Sequence, residues 1–349
     1  MELTETQKKI LDSKEPKIVV MSSAASGKTA LLTEKVRSIL RAGVDPREIA
    51  VITFTNMAAT ELVQRLGADY KEGIFIGTIH ALANYMLRVG GVDTSKILNE
   101  EKFDELFELI VDNPGCVKKL EWVLLDEAQD SDSLQFNFLF DMINPPNFFV
   151  VGDVKQSIYR WKGSEPQLLL DLIQRGDVTF FSMLENFRNG IKILEFAKRL
   201  IKTTGMVDKS IPVRKELGVV EETYFGENAI VSRIESNPEY KNWAILCRTN
   251  IEVQTVSNFL RKHDIPFETF KQGDLTKDEL VKKMGQDTVK VLTVHSAKGL
   301  EWDNVIVIGM KYFSDEERCV CYVAATRARN RLIWMGYEAK KKKTRLYNW

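Results

Sequence analysis

The stretch Ile18-Val-Val-Met-Ser22-Ser-Ala-Ala-Ser-Gly-Lys-Thr29 decides how the rest of the chain is read. An apolar run ends in a Ser/Gly-rich turn and is followed by LLTEKVRSIL, whose apolar residues recur at helical spacing. Strand, glycine-containing loop, Lys-Thr and helix together form the context of a phosphate-binding loop. Such a loop turns backbone N–H groups toward a polyphosphate at a helix N-terminus, where the helix dipole also favours anions. Ser26 and Gly27 shape the turn, Lys28 offers a cation to the terminal phosphates, and the Thr29 hydroxyl is a candidate ligand for Mg²⁺. ATP and Mg²⁺ are therefore the expected ligands. Ser22 stands where the first glycine of the usual pattern lies, so that pattern is not met in full.

Working outward, a phosphate loop needs an acidic partner for its metal. Val123-Leu-Leu-Asp126-Glu127 supplies one at the end of a second apolar run. Asp126 would hold Mg²⁺, and Glu127 would orient or deprotonate the attacking water. Further candidate strands lie at 49–54, 74–77, 148–152, 179–183, 243–247, 289–294, 305–308 and 331–335. They are rich in Val, Ile and Phe without alternation, as strands buried on both faces are. Alternation with helical patterns predicts an α/β fold with two parallel sheets in tandem. The boundary is expected near 183–184, giving domains 1–183 and 184–349, with a small helical insertion at about 81–120. The segment 203–240 is polar and poorly periodic.

A chain of 349 residues exceeds the ~250–300 over which one core grows, which also favours two domains. Its 49 basic and 49 acidic residues cancel, which argues against one large basic face but leaves room for local patches. No apolar run reaches the ~18 residues of a membrane span, and MELTETQKKIL lacks a signal-peptide stretch, so a cytoplasmic location and no membrane partner are expected. Cys116, Cys247, Cys319 and Cys321 form no CxxC pair and have no His at zinc-ligand spacing, so they read as reduced structural thiols.

With these residues in place, the run DEAQD (126–130) resembles the second motif of superfamily-1 helicases of the UvrD/Rep/PcrA group. Further segments resemble the other motifs in the same order. They are LTETQ (3–7), TFTNMAATEL (53–62), GTIHALA (77–83), VGDVKQSIYRWKGS (151–164), LENFRN (184–189), AILCRTN (244–250), VLTVHSAKGLEWDNVIV (291–307) and YVAATRAR (322–329). The likeness runs from Gln7 to Arg329. It implies two RecA-like domains and an ATP-dependent DNA motor. It also implies a role for each matching residue. Gln7 would read the adenine edge, Phe187 would stack on the base and Glu301 would contact the ribose. Gln156 would sense the γ-phosphate, while Arg188 and Arg327 would act as arginine fingers from the second domain across the interdomain cleft. Phe54, Tyr159 and Trp161 would meet the bases of single-stranded DNA, and Thr55, Asn56, His80, Arg248, Thr293 and His295 its phosphates or sugars.

The sequence departs from the family pattern in small and large ways. Ala30 stands for a usual Arg, Met57 for Lys, Ile79 for Phe, Phe187 for Tyr and Lys162 for Arg. Family members carry a large helical insertion in each motor domain. Here only about forty residues separate the GTIH and DEAQD motifs, and a similar gap, 249–288, separates Arg248 from Val289. The resemblance therefore implies a minimal helicase moving 3′ to 5′ on single strands and acting at single/double-strand junctions. A monomeric motor, with replication or repair proteins as partners, is expected. Two alternatives stay open: a translocase that displaces proteins without unwinding, and an ATP-gated motor subunit of a larger nuclease or recombination complex. The Lys340–Lys343 run reads as a solvated tail.

Overall fold

The computed structural model of the chain describes residues 3–271 and 275–336, and the Lys340–Lys343 run lies outside them. The chain divides into a first unit, Met1–Phe187 with Ile201–Val213, and a second, Arg188–Leu200 with Arg214–Trp349. The division thus passes just before Arg188 and is crossed again at Ile201 and Arg214, a path that hydrophobic periodicity does not reveal.

The first unit is built on β1 (Lys17–Ser22), β2 (Ile49–Ile52), β3 (Phe75–Gly77), β4 (Trp122–Leu125), β5 (Asn147–Gly152) and β6 (Thr179–Met183), in the order β3-β2-β4-β5-β1-β6. Every pairing is parallel, with Val19 beside Val150 and Leu124 beside Phe149. Successive residues of these strands feed two different cores. Val19, Ile52, Val123 and Val150 pack beneath the helices Ile79–Val89 and Glu105–Asp112. Ile18, Val51, Leu124 and Val151 pack against the helices Lys28–Arg41 and Asn56–Leu66. Burial on both faces explains why these strands read as unbroken apolar runs. The segment 81–120 holds the rest of the Ile79–Val89 helix, the helices Ser95–Asn99 and Glu105–Asp112, and a single 3₁₀ turn, Pro114–Cys116. A two-stranded parallel pair, β7 (Glu185–Asn186) with β8 (Ile211–Pro212), completes this unit.

The second unit carries β9 (Val219–Tyr224), β10 (Trp243–Cys247), β11 (Phe267–Glu268), β12 (Val289–Thr293), β13 (Trp302–Ile308) and β14 (Ala328–Gly336), ordered β11-β12-β10-β13-β14-β9 and again all parallel. Its core gathers Trp243, Ile245, Val291, Ile306 and Ile333. β9 falls in the segment that sequence alone leaves structureless. It is an edge strand whose residues are exposed or half-buried throughout, so it needs few apolar side chains. Gly190 approaches Gly218 so closely that a Cβ there would lie 2.7 Å from the Gly218 Cα, which only glycine permits.

All four cysteines are free thiols, and burial pushes Cys321 up to about 12, as inert structural thiols behave. Among the described residues, no helix is long and apolar enough to cross a membrane.

Candidate functional site

β1 ends at Ser22, whose hydroxyl donates to the Gly152 carbonyl at the end of neighbouring β5 (3.0 Å). A first-position glycine could not make this tie. Beyond it, Ala25 (φ 55°) and Gly27 (φ 85°) take left-handed conformations that fold the chain into the helix starting at Lys28. Gly27 is required twice over: its φ favours glycine, and a Cβ would lie 2.8 Å from the Gln7 amide nitrogen. Ser26 Oγ is buried with no hydrogen-bond partner among the described residues. An unsatisfied hydroxyl inside a loop of left-handed turns is a cost that a polar ligand would relieve.

Gln7 is buried against this loop. Its Nε2 donates to the Ser26 carbonyl (3.2 Å), and its Oε1 accepts from the Thr4 N–H (3.0 Å) in a capping box. The opposite wall comes from the segment after β6. Ser23 N–H donates to the Met183 carbonyl (2.9 Å), Asn186 Nδ2 to the Ala24 carbonyl (2.9 Å) and Phe187 N–H to the Ala25 carbonyl (3.1 Å). Phe187 is thereby fixed beside the loop. Asn186, within LENFRN, is fully buried, and its tie to the loop shows only in three dimensions.

β4 delivers the acidic pair. Asp126 accepts the Glu127 N–H on Oδ1 (2.9 Å), and Glu127 adopts a left-handed backbone (φ 51°, ψ 43°). A non-glycine residue in that region costs about 1–3 kcal/mol, and such strain clusters at functional sites. The turn brings Glu127 Oε1 to 3.6 Å from Lys28 Nζ, with both side chains mostly buried. Thr29 and Asp126 offer hydroxyl and carboxylate oxygens, the hard donors that Mg²⁺ takes, so the residues present fit that ion. Gln156 lies buried in the turn after β5, and its Nε2 donates to Asp153 Oδ2 (2.8 Å).

Around a cavity of about 260 Å³ in the same unit lie Phe54, His80, Asp104, Asp126, Glu127 and Tyr159. Phe54 stacks on Tyr159 with centroids 4.9 Å apart and planes at 25°. Burial, and then the Asp130 and Glu127 carboxylates, push the Tyr159 phenol well above its usual range, so it stays neutral. Trp161 is 64% exposed, with Lys162 Nζ 5.1 Å from its ring centroid. Thr55 caps the helix Asn56–Leu66 by accepting from the Ala58 N–H, so Asn56 begins that helix. His80 Nε2 lies 3.1 Å from Asp104 Oδ1, an acidic neighbour that the sequence did not suggest.

In the second unit, Arg188, Glu301 and Arg327 come together. Arg188 Nε donates to Glu301 Oε2, and its Nη1 to the Thr326 carbonyl (3.1 Å). Arg327 is buried, donating to the carbonyls of Val323 (3.0 Å) and Leu300 (3.3 Å). Burial raises the Glu301 carboxyl, but the charge and hydrogen bond of Arg188, with help from Arg329 and Arg327, leave it below its ordinary value. Arg248 is gripped by Glu317, its Nε at 3.0 and 3.1 Å from the two carboxylate oxygens. Thr293 donates to Ser296 Oγ (3.0 Å), and His295 opens the 3₁₀ turn His295–Ala297 beside it.

Two parallel-sheet units in tandem, the first with a glycine-containing loop between strand and helix and an acidic strand end, define a RecA-like α/β fold. The UvrD/REP helicase N-terminal domain family matches residues 3–114 and 113–176, and the UvrD-like helicase C-terminal domain family matches 274–339. The chain belongs to the UvrD-like helicase family. It is 25% identical over 351 residues to the ATP-dependent DNA helicase Rep of Escherichia coli, covering 71% of this chain and 52% of that protein. The ATP-dependent DNA helicase PcrA of Leuconostoc citreum is 24% identical over 364 residues, covering 75% and 49%. The Gabija protein GajB of Bacillus cereus is 29% identical over 217 residues, covering 49% and 44%. The chain spans about half the length of the curated relatives it matches.

Proposed function

We propose that the chain is an ATP-driven DNA motor that hydrolyses Mg-ATP and moves 3′ to 5′ along single-stranded DNA. The observation that carries this reading is the facing of Lys28 and Glu127 at 3.6 Å beside a left-handed phosphate loop. In this reading Lys28 neutralises the terminal phosphates, and Glu127 takes the proton of the attacking water. Thr29 and Asp126 hold Mg²⁺, which when bound neutralises charge on the phosphate oxygens. Ser26 and Gly27 line the phosphates, Gln7 reads adenine, Phe187 stacks on it and Glu301 contacts the ribose. Gln156 senses the γ-phosphate, and Arg188 and Arg327 lend positive charge to the transferring phosphoryl group.

For the track, Phe54, Tyr159 and Trp161 are the proposed base platforms. Thr55, Asn56, His80, Arg248, Thr293 and His295 are the proposed backbone contacts. The exposed Trp161 with Lys162 over its ring supports this role, since a cation and a π-face side by side suit a stacked, negatively charged strand. The family likeness is what supports the proposed polarity and the proposal of a monomeric, cytoplasmic motor with replication or repair partners.

A second reading is favoured by the connections. Between β10 and β12 lie only the helix Asn250–Lys262, the short β11 and the helix Lys277–Gly285 among the described residues. A motor with so little added to its second unit suits translocation and protein displacement better than regulated strand separation. ATP hydrolysis measured with and without single-stranded DNA, beside unwinding of duplexes carrying 3′ or 5′ tails, decides between them. DNA-stimulated hydrolysis with unwinding from 3′ tails supports the helicase. Stimulated hydrolysis without strand separation supports the translocase, and unwinding from 5′ tails alone overturns the polarity.

A further inference from the structure

We propose that Gln129 is a positioning residue that joins Glu127 to Gln156 through Asp153, so that the water-activating carboxylate and the phosphate-sensing amide are set as one piece. This rests on the roles given to those two residues under Proposed function. Gln129 is fully buried. Its Nε2 donates to Glu127 Oε2 at 2.6 Å, and its Oε1 accepts from the Asp153 N–H at 2.8 Å. Asp153, also fully buried, accepts from Gln156 Nε2 on Oδ2 (2.8 Å). Its Oδ1 faces Lys155 Nζ at 2.9 Å. The same ammonium lies 3.5 Å from the Ser22 carbonyl and 3.9 Å from Asp208 Oδ1. The buried charge on Asp153 is thus neutralised, and the assembly is fastened to the head of the phosphate loop.

A carboxamide is suited to the central position because one rigid plane carries both a donor and an acceptor. It grips the carboxylate of one strand end and the backbone of the next. Space has been kept for it: a Cβ on Gly152 would lie 2.9 Å from Gln129 Oε1. Glu127 then has one oxygen near Lys28 and the other on Gln129, which fixes the direction in which it meets a water. A shift of Gln156 on the terminal phosphate is passed through short contacts to Glu127.

The test is the DNA-stimulated ATPase of the full chain carrying Gln129→Glu or Gln129→Met, with kcat, KM for ATP and the melting temperature measured together. Gln129→Glu keeps the shape and an acceptor for the Asp153 N–H, and it carries the test if Gln129→Met does not fold. The expected result is a roughly tenfold or greater fall in kcat with KM for ATP within about twofold of wild type. Gln129→Met removes the hydrogen bond that fixes the Glu127 carboxylate, and Gln129→Glu sets a second carboxyl in the place of that donor. Unchanged kcat, with or without a lower melting temperature, overturns the proposal, as does a loss confined to KM. A wild-type chain with no ATPase at all fails at a different place: it removes the assignment of Glu127 as base and the function with it.

Discussion

In the first unit, the proposed phosphate-site groups after β1 and β4 lie beside one another, with one buried hydroxyl unsatisfied. Lys28 Nζ and Glu127 Oε1 face each other at 3.6 Å, and Ser26 Oγ is buried with no partner among the described residues. In the second unit, the proposed functional cations are engaged by their own unit. Arg188 holds Glu301 and the Thr326 carbonyl, Arg327 holds the Val323 and Leu300 carbonyls, and Arg248 holds both oxygens of Glu317. On the proposed reading, the phosphate site is pre-built within the first unit, whereas arginines that serve phosphate would exchange internal partners for it or act while keeping some of them. A guanidinium has five donors, so Arg188 could keep the Thr326 carbonyl while releasing Glu301.

Four substitutions probe the two units separately. Lys28→Ala should lower ATP turnover by about a thousandfold or more, because in the proposed reading the loop lysine is the first unit's cation on the terminal phosphates. DNA-stimulated turnover at the wild-type level in that variant would mean that the pre-built site is not the catalytic one. Arg188→Ala should lower kcat by about a hundredfold with ATP binding retained, as measured by titration with a fluorescent nucleotide. If kcat is unmoved and only the melting temperature falls, the arginine cluster of the second unit serves stability alone. Trp161→Ala should weaken single-strand affinity by about tenfold, the scale of one lost base stack, and leave basal ATPase intact. Unchanged strand affinity and translocation would make Trp161 a mere surface aromatic.

The smallest expected effect is on stability. The Glu301 carboxyl sits below its ordinary value of 4.5 when folded. A depressed folded value means that its contribution is complete above 4.5 and is lost as pH falls through the folded value. Glu301→Gln should therefore cost less than about 1 kcal/mol at neutral pH, given the 40% exposure of its side chain, and nothing once the pH is well below 4. Chemical denaturation at both pH values checks this, and a cost that persists in acid would assign the loss to packing.

Much of the architecture was legible because central parallel strands must be apolar on both faces. β1, β4, β5, β10, β12 and β13 announce themselves as runs of Val, Ile, Leu and Phe. β9 escaped because an edge strand with half-exposed faces, reading VVEETY, carries no such signature, and β7, β8 and β11 are only two residues long. The phosphate loop and the acidic pair were legible as local motifs. The links between them were not. Gln129 reaches Asp153 because β4 and β5 are neighbours in register, with Leu125 beside Val150, and Asn186 reaches the Ala24 carbonyl because β6 runs beside β1. Sequence spacing carries neither adjacency. His80 and Arg248 were read as strand contacts, and their carboxylate neighbours Asp104 and Glu317 lie too far along the chain to be foreseen.

Whether Lys28 and Glu127 form the proposed ATPase site of a DNA-stimulated motor is decided by comparing steady-state ATP hydrolysis of the wild-type chain and Glu127→Gln, each with and without single-stranded DNA, together with nucleotide binding. Hydrolysis by the wild type should rise about tenfold or more with DNA. The Glu127→Gln variant should bind ATP normally and turn it over about a hundredfold or more slowly, the scale of a lost general base. Rapid, DNA-stimulated hydrolysis by Glu127→Gln would remove Glu127 from that role.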